Sequence, residues 1–386
     1  MGWTNESFQK YRLMAPGPVA LHPAVKNSLS QDMIHHRTPL FDQILKNCLT
    51  QLQQVFQTQE PVYILSGTGS LGMEVALVNV LSPGDEILCI DSGKFGQRWA
   101  EMASALGYKV HSLKVPWGEA VQVSEVEKEL KKNPHYKAVL CQACETSTAV
   151  LHPLQELAQL VSEFPQTLLI IDGITAVGAT PLPMDLWNID VLVAGSQKAF
   201  MLPTGLSFVS FSQKAQSRLS SAQTPRYYLD IRLERAANQK GETFFSSSVA
   251  LIRALEASLK LMLTPRLESW IENIEKRSRG TRKIIKALGL ELYSKSPSPS
   301  LTALKVPAGV EGQKWRDHLE QKYHITVMGG QDQLKGKILR IGHMGALDPG
   351  DFRALAGALY LSLQDLNVSL PLSESDFSEL CEKEFS

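Results

Sequence analysis

The stretch QTLLIIDGITAVGATPLPMDLWNIDVLVAGSQKAF (166–200) decides the fold. It holds two short apolar runs, LLII (168–171) and VLVA (191–194), which stop at Asp172 and at Ser196-Gln197-Lys198. Continuous runs of Val, Ile and Leu closed by Gly are strands buried on both faces of a parallel sheet. In open α/β sheets, ligands sit just beyond the carboxyl ends of such strands. A carboxylate and an amine, far apart in sequence, therefore project into one crevice.

Working outward, the same strand–helix alternation repeats from about 60 to 211, which predicts a doubly wound, mostly parallel sheet. PVYIL (61–65), EILCID (86–91), KVHSLKV (109–115) and YKAVLC (136–141) read as strands, and PTGLSFVSF (203–211) as an antiparallel strand at an edge. Between them, SGKFGQR (92–98) reads as a turn and WAEMASALGY (99–108) as a helix. Upstream, Thr38 caps a helix with Pro39 at its first position, and Leu45, Leu49, Leu52 and Phe56 give it an apolar stripe. His35, His36 and Arg37 stand just before that helix, without a third ligand at metal spacing.

After PVYIL comes Gly67-Thr68-Gly69-Ser70-Leu71-Gly72, a formal GxGxxG. Taken alone it permits a dinucleotide, and a nicotinamide dehydrogenase is one reading. Its broader physical content is a helix N-terminus offering free N–H groups and a positive dipole end to any phosphate, with Thr68 and Ser70 adding hydroxyls. Phe95, at the end of a strand, can cover the face of a planar ligand. Cys141-Gln142-Ala143-Cys144 is formally a CxxC. It has no second Cys pair nearby and ends a strand instead of opening a helix, so neither zinc nor redox chemistry is expected.

Composition narrows the function classes. The 386 residues are 44% hydrophobic and 20% charged, with 39 basic against 39 acidic side chains. Zero formal net charge argues against nucleic acid or an anionic membrane as partner. No apolar run approaches the roughly 20 residues that span a bilayer. No secretory signal is visible, and five Cys give no disulfide framework, so a cytoplasmic protein is expected.

The length predicts two domains. The division read from the sequence is an N-terminal segment (1–16), a large domain (17–260), a small α+β domain (261–365) and an acidic, mobile tail (366–386). A long helix over 249–288, broken at Thr264-Pro265, links the two domains.

One crevice at the sheet's carboxyl edge thus collects a phosphate cup (Thr68, Gly69, Ser70), an aromatic plate (Phe95), hydroxyls (Ser147, Thr148), Asp172 and Lys198. A nicotinamide dinucleotide has no use for a Lys opposite an Asp. Pyridoxal phosphate needs all of these groups: its aldehyde condenses with an amine, its ring nitrogen stays protonated against a carboxylate, and its phosphate takes N–H donors.

The chain also resembles the class V aminotransferases, fold type I pyridoxal-phosphate enzymes, in the alanine–glyoxylate and serine–glyoxylate (serine–pyruvate) branch. The resemblance rests on APGP (15–18), HHRTPLF (35–41), SGTGSLGMEVAL (66–77), PGDEIL (83–88), GKFGQRW (93–99), ETSTAV (145–150), DGITAVGATPLPMD (172–185), AGSQKAF (194–200) and LRIGHMG (339–345). It implies that Lys198 is the Schiff-base lysine and proton carrier, and that Asp172 is the ring-nitrogen partner. It makes Gln197, Thr68, Gly69 and Ser70 contacts to phosphate or ring, Phe95 the stacking residue, and Ser147, or Thr148, the partner of the ring hydroxyl. Arg340 becomes the clamp for the substrate carboxylate, helped by the Gly17 backbone, with Arg37 at the pocket edge.

Two positions depart from the family pattern: Ala149 stands where relatives often have Gly, and TFFSSS (243–248) replaces a Thr-Pro-rich run. In the family that run crosses a dimer interface, so Ser246 is expected to reach the neighbouring subunit's cofactor phosphate in a homodimer. The branch includes proteins named soluble hydrogenase 42 kDa subunit, which makes a hydrogenase-associated accessory protein the alternative from another class. A pyridoxal lyase or desulfurase is the alternative within the cofactor class; it wants a mobile Cys, and the only late one is Cys381.

Overall fold

Seven strands form the central sheet: Val62–Gly67 (β1), Glu86–Asp91 (β2), Lys109–Lys114 (β3), Ala138–Gln142 (β4), Leu168–Asp172 (β5), Val191–Gly195 (β6) and Gly205–Phe211 (β7). The structure is a computed structural model and describes residue 3 and residues 5–386. Of the N-terminal segment read over 1–16, residues 1, 2 and 4 lie outside the described residues.

The spatial order is β1-β7-β6-β5-β4-β2-β3. β2 through β6 pair in parallel, and β7 runs antiparallel to both neighbours. The sequence placed this antiparallel strand at an edge. It lies instead one strand in, because six of its seven residues are buried and both of its backbone edges are paired. β1 takes the edge, with an antiparallel partner only. The Gly-rich turn after it therefore does not open a parallel βαβ unit, which removes the structural context of a dinucleotide fingerprint.

Residue parity sorts each strand between two cores. Leu88, Val139, Leu169 and Leu192 pack under the helices Pro39–Phe56, Val123–Lys132, Leu154–Ser162 and Val249–Met262. Ile87, Leu140, Ile170 and Val193 pack under Gly69–Val78 and Lys94–Ala105. Gly72 lets the first of these helices lie on the sheet, since a Cβ there would stand 2.8 Å from Val193 Cγ1. Asp172 and Gln142 share the parity of Ile170 and Leu140, so both point to the face on which these two helices begin.

From β2 the chain turns one way to β3, and from β4 the other way to β5 and β6. The loops leaving β2 and β4 therefore separate and open a crevice at the carboxyl end of the sheet, the topological switch point.

A three-stranded antiparallel sheet (Leu301–Lys305, Ile338–Gly342, Met328–Gly329) carries its own core with the helices Leu267–Ala287, Gly312–Tyr323 and Pro349–Asp365. The helix pair Val249–Met262 and Leu267–Ala287 breaks where Thr264-Pro265 predicts. The N-terminal strand Arg12–Leu13 pairs with Ile325–Thr326, and Arg12 Nε donates to the buried Asp351 at 2.9 Å. The tail read as mobile is a helix, Glu374–Glu384, whose Phe377 and Cys381 are buried in this second core. Its Ser-first, acid-in-first-turn sequence is an N-cap: Ser373 accepts from Asp376 N.

Candidate active site

Lys198 follows β6 in a turn that the surrounding residues hold rigid. The Ser196 hydroxyl donates to Pro203 O at 2.8 Å and accepts from Leu206 N at 3.1 Å, tying the turn to β7. Lys198 is buried, and its Nζ donates to Pro16 O at 3.0 Å. The N-terminal turn thus lies directly over the amine. Gly17 is what allows this approach: its φ is +146°, and a Cβ there would stand 2.6 Å from Lys198 Nζ. Burial brings the Lys198 amine down to about 8, with the nearby Cys144 thiol opposing the shift and Arg340 adding to it.

Asp172 ends β5, also buried, and its Oδ1 accepts from Ile174 N at 2.9 Å. Burial pushes its carboxyl up to about 6, against the Ile174 hydrogen bond and with help from the Glu145 charge. Among the described residues, no ion pair joins Asp172 to Lys198. Both groups stay available to something placed between them.

Two helix N-termini open into the same crevice. Thr68 caps Gly69–Val78 through its backbone, its O accepting from Leu71 N at 2.9 Å; among the described residues its hydroxyl and the N–H groups of Gly69 and Ser70 have no partner. Phe95 lies in the first turn of Lys94–Ala105; of the segment SGKFGQR, read as a turn, residues 94–98 are helical. The Arg98 guanidinium covers one face of the Phe95 ring at 4.9 Å. That helix is capped from outside. Glu145 accepts from Phe95 N and Gly96 N, each at 3.1 Å, and from the Ser147 hydroxyl at 2.5 Å. Ser147 Oγ in turn accepts from Lys94 N at 3.1 Å.

Arg340 projects from Ile338–Gly342 into the crevice from the other core. Its Nη1 donates to Thr146 O and its Nε to Gly329 O, each at 3.0 Å. Its hydrogen-bond acceptors are carbonyls and the Gln331 amide oxygen; the Glu145 charge acts on it from farther off, and among the described residues it has no carboxylate ion-pair partner. Burial lowers its guanidinium to about 10. A buried cation short of an anion is a ready carboxylate site.

The structure thus brings together Gly17, the Thr68-Gly69-Ser70 turn, Phe95, Ser147, Asp172, Gln197, Lys198 and Arg340. Thr148 is close but occupied, its hydroxyl donating to Glu145 O at 3.3 Å. Two expected residues stand apart within this chain. Arg37 pairs with Glu242, and Ser246 is exposed on the segment after it, lining a groove with Ser66, Leu71 and Tyr228.

Two residues were missed from the sequence. Glu145 ends the two-residue strand Cys144–Glu145 that follows β4, and Gln142 is β4's last residue. Each carries the signal that singled out Asp172, a polar residue where a buried apolar run stops. Cys141 and Cys144 are both buried, and burial raises both thiols, Cys144 to about 12, which disfavours the thiolate. Among the described residues no cluster of three His, Cys, Asp or Glu could hold a metal ion, and no helix is long and apolar enough to cross a membrane.

Residues 24–343 match the family described as aminotransferase class-V. The chain is 36% identical over 361 residues to the soluble hydrogenase 42 kDa subunit of Anabaena cylindrica, covering 92% of this chain and 94% of that protein. It is 32% identical over 367 residues to the L-aspartate–glyoxylate aminotransferase of Paracoccus denitrificans, covering 93% and 92%. A solved structure of an alanine–glyoxylate aminotransferase from Nostoc sp. superposes with a TM-score of 0.86 at 28% identity, covering 93% of this chain and 96% of that one. With a family match over most of its length and relatives above 30% identity that it covers almost entirely, the chain belongs to the class V aminotransferases.

Proposed function

We propose that this aminotransferase moves an amino group from a small amino acid, alanine or serine, to glyoxylate or pyruvate, as a cytoplasmic homodimer. The observation that carries the reading is the crevice in which Lys198, Asp172 and Arg340 converge, each buried and none paired with another. A small donor suits a site so tightly roofed by Pro16 and Gly17. Relatives differ in the donor that their names print, aspartate or alanine, while glyoxylate recurs as acceptor.

The residues present fit pyridoxal phosphate. The Gln197 amide oxygen and both polar atoms of the Gln142 amide are buried without partners among the described residues, which marks a space built for a polar guest. Thr68, Gly69 and Ser70 would hold the phosphate at a helix N-terminus, Phe95 the ring face and Asp172 the ring nitrogen. When bound, the group supplies an aldehyde and an electron-withdrawing ring. Arg340 binds and orients the amino acid through its carboxylate, since a planar guanidinium meets it with two parallel bonds. Lys198 Nζ takes the substrate's α-proton, and burial keeps a useful fraction of the amine neutral near neutral pH. Asp172 holds negative charge where the ring nitrogen needs it, and the N-terminal turn keeps water from the amine.

The test is a panel of amino acids, each mixed with the loaded enzyme while the visible band of the bound cofactor is followed. Alanine or serine should bleach the band, and glyoxylate should restore it. Lys198→Ala should lose band and turnover together, and an intact band in that variant sinks the assignment. If no amino acid bleaches the wild-type band and the protein co-purifies with a redox partner, the hydrogenase-associated reading replaces this one.

A further inference from the structure

Gln142 is fully buried, and among the described residues neither Oε1 nor Nε2 has a hydrogen-bond partner. A primary amide offers two donors and two lone pairs, and a native core rarely strands all of them. Its surroundings explain why this one stays. Gln142 is the last residue of β4, at the switch point of the sheet. In the parallel register it stands opposite Asp172, and the two side chains leave the same face about 5 Å apart. Over it passes the first turn of Lys94–Ala105: a Cβ on Gly96 would lie 3.1 Å from Gln142 Oε1. The N–H groups of that turn are already taken by Glu145, so none is left for the amide. Asp172 has one oxygen on Ile174 N and the other free of any partner among the described residues.

We propose that Gln142 is a positioning residue for Asp172: in the loaded site its Nε2 donates to the free carboxylate oxygen and fixes the orientation in which the other meets the ring nitrogen. This rests on the pyridoxal-phosphate reading of the crevice. A carboxylate held by one backbone N–H can swing about its bond to the β-carbon, whereas one held from two sides presents a single face. The amide bears the cost of burial in the cofactor-free chain, and its hydrogen bond is completed when the guest draws Asp172 into its ionised form.

The test measures two quantities on the full chain, the affinity for pyridoxal phosphate by quenching of tryptophan fluorescence, and the melting temperature without cofactor. Gln142→Met, which keeps volume and removes polarity, should weaken affinity about tenfold, the size of one hydrogen bond. The same change should raise the melting temperature of the cofactor-free chain, because it removes a stranded amide. Gln142→Leu serves as the second variant with the same two expectations. In an Asp172→Asn background the effect of Gln142→Met on affinity should vanish. Affinity within twofold of wild type, a fall in both affinity and melting temperature, or an equal loss in both backgrounds overturns the proposal. A wild-type chain that binds pyridoxal phosphate without a visible band overturns the reading of the crevice itself, and the two failures are told apart by that band.

Discussion

At Lys198 the chain solves a placement problem with a backbone instead of a side chain. The amine is roofed by Pro16 O and Gly17, and the roof fits only because residue 17 has no Cβ. Gly17→Ala therefore forces the buried amine off the Pro16 carbonyl. We expect turnover to fall about tenfold or more with cofactor still bound, since a misplacement of about 1 Å at a reacting group carries that scale of penalty. Steady-state rates beside the visible spectrum check it, and an unchanged rate would show that Gly17 does not set the amine's position. Asp172 makes a separate prediction through pH. Its carboxyl is raised by burial to about 6, from an ordinary value near 4. Between those values the folded cofactor-free chain binds a proton that the unfolded chain does not, so its stability falls as pH rises through the window. Asp172→Asn should thus gain on wild type as pH climbs from 4 to 6 and keep the gain above, by about 3 kcal/mol at most. Melts of both chains across that range decide it, and a gap that stays constant would place the shift elsewhere.

At the scale of elements, the sequence was legible wherever a pattern is local. The buried strands, the Thr38-Pro39 helix start and the break at Thr264-Pro265 all stand where residue types and spacing put them. Asp172 and Lys198 were legible for the same reason, as polar stops to apolar runs. What a local pattern cannot carry is pairing. Nothing within GLSFVSF says that β7 inserts between β1 and β6, because its neighbours are over a hundred residues and ten residues away in sequence. The helix start at Lys94 was hidden for a related reason: Gly93 lacks a capping side chain, and the cap comes from Glu145 and Ser147 on another loop. The tail helix was misjudged on composition, since the docking of Phe377, Cys381 and Phe385 into the second core does not show in an acidic sequence. One element also carries a cost that the sequence alone signalled. Ala149, in a position where relatives often have Gly, is buried with φ +62°, a left-handed conformation that a Cβ disfavours. Its carbonyl accepts from Ser298 N at 2.9 Å, so the turn is held and the strain cannot relax. Ala149→Gly should stabilise the chain by about 0.5–1 kcal/mol in urea unfolding, and no gain would mean that the methyl's packing offsets the strain.

The whole molecule leaves its functional parts unequally finished. Within one chain, Lys198, Asp172 and Arg340 already converge, while Ser246 lies on a segment facing outward. That segment packs against a second exposed loop: Tyr227 and Tyr228 are 71% and 53% exposed, and Tyr228 stacks on Phe245 with ring centroids 4.3 Å apart. The Arg37–Glu242 ion pair joins it to the stretch that carries exposed Met33 and Leu40. Large apolar side chains gathered there suit the homodimer proposed above, in which a second copy of this chain would also give Ser246 a use. If the two-fold dimer lends each Ser246 to the neighbouring site, two inactive variants complement each other. Lys198→Ala lacks its own amine but offers a good Ser246. Ser246→Glu keeps its amine but places a carboxylate against the neighbour's phosphate, so its own homodimers should lose the cofactor by charge repulsion. In a random mixture, half of the dimers are mixed, and each contains one site with both residues intact. Co-expression should therefore restore cofactor retention and transamination to about a quarter of the wild-type level per site. Were Ser246 to serve its own chain, no site in the mixture would be complete and co-expression would restore nothing.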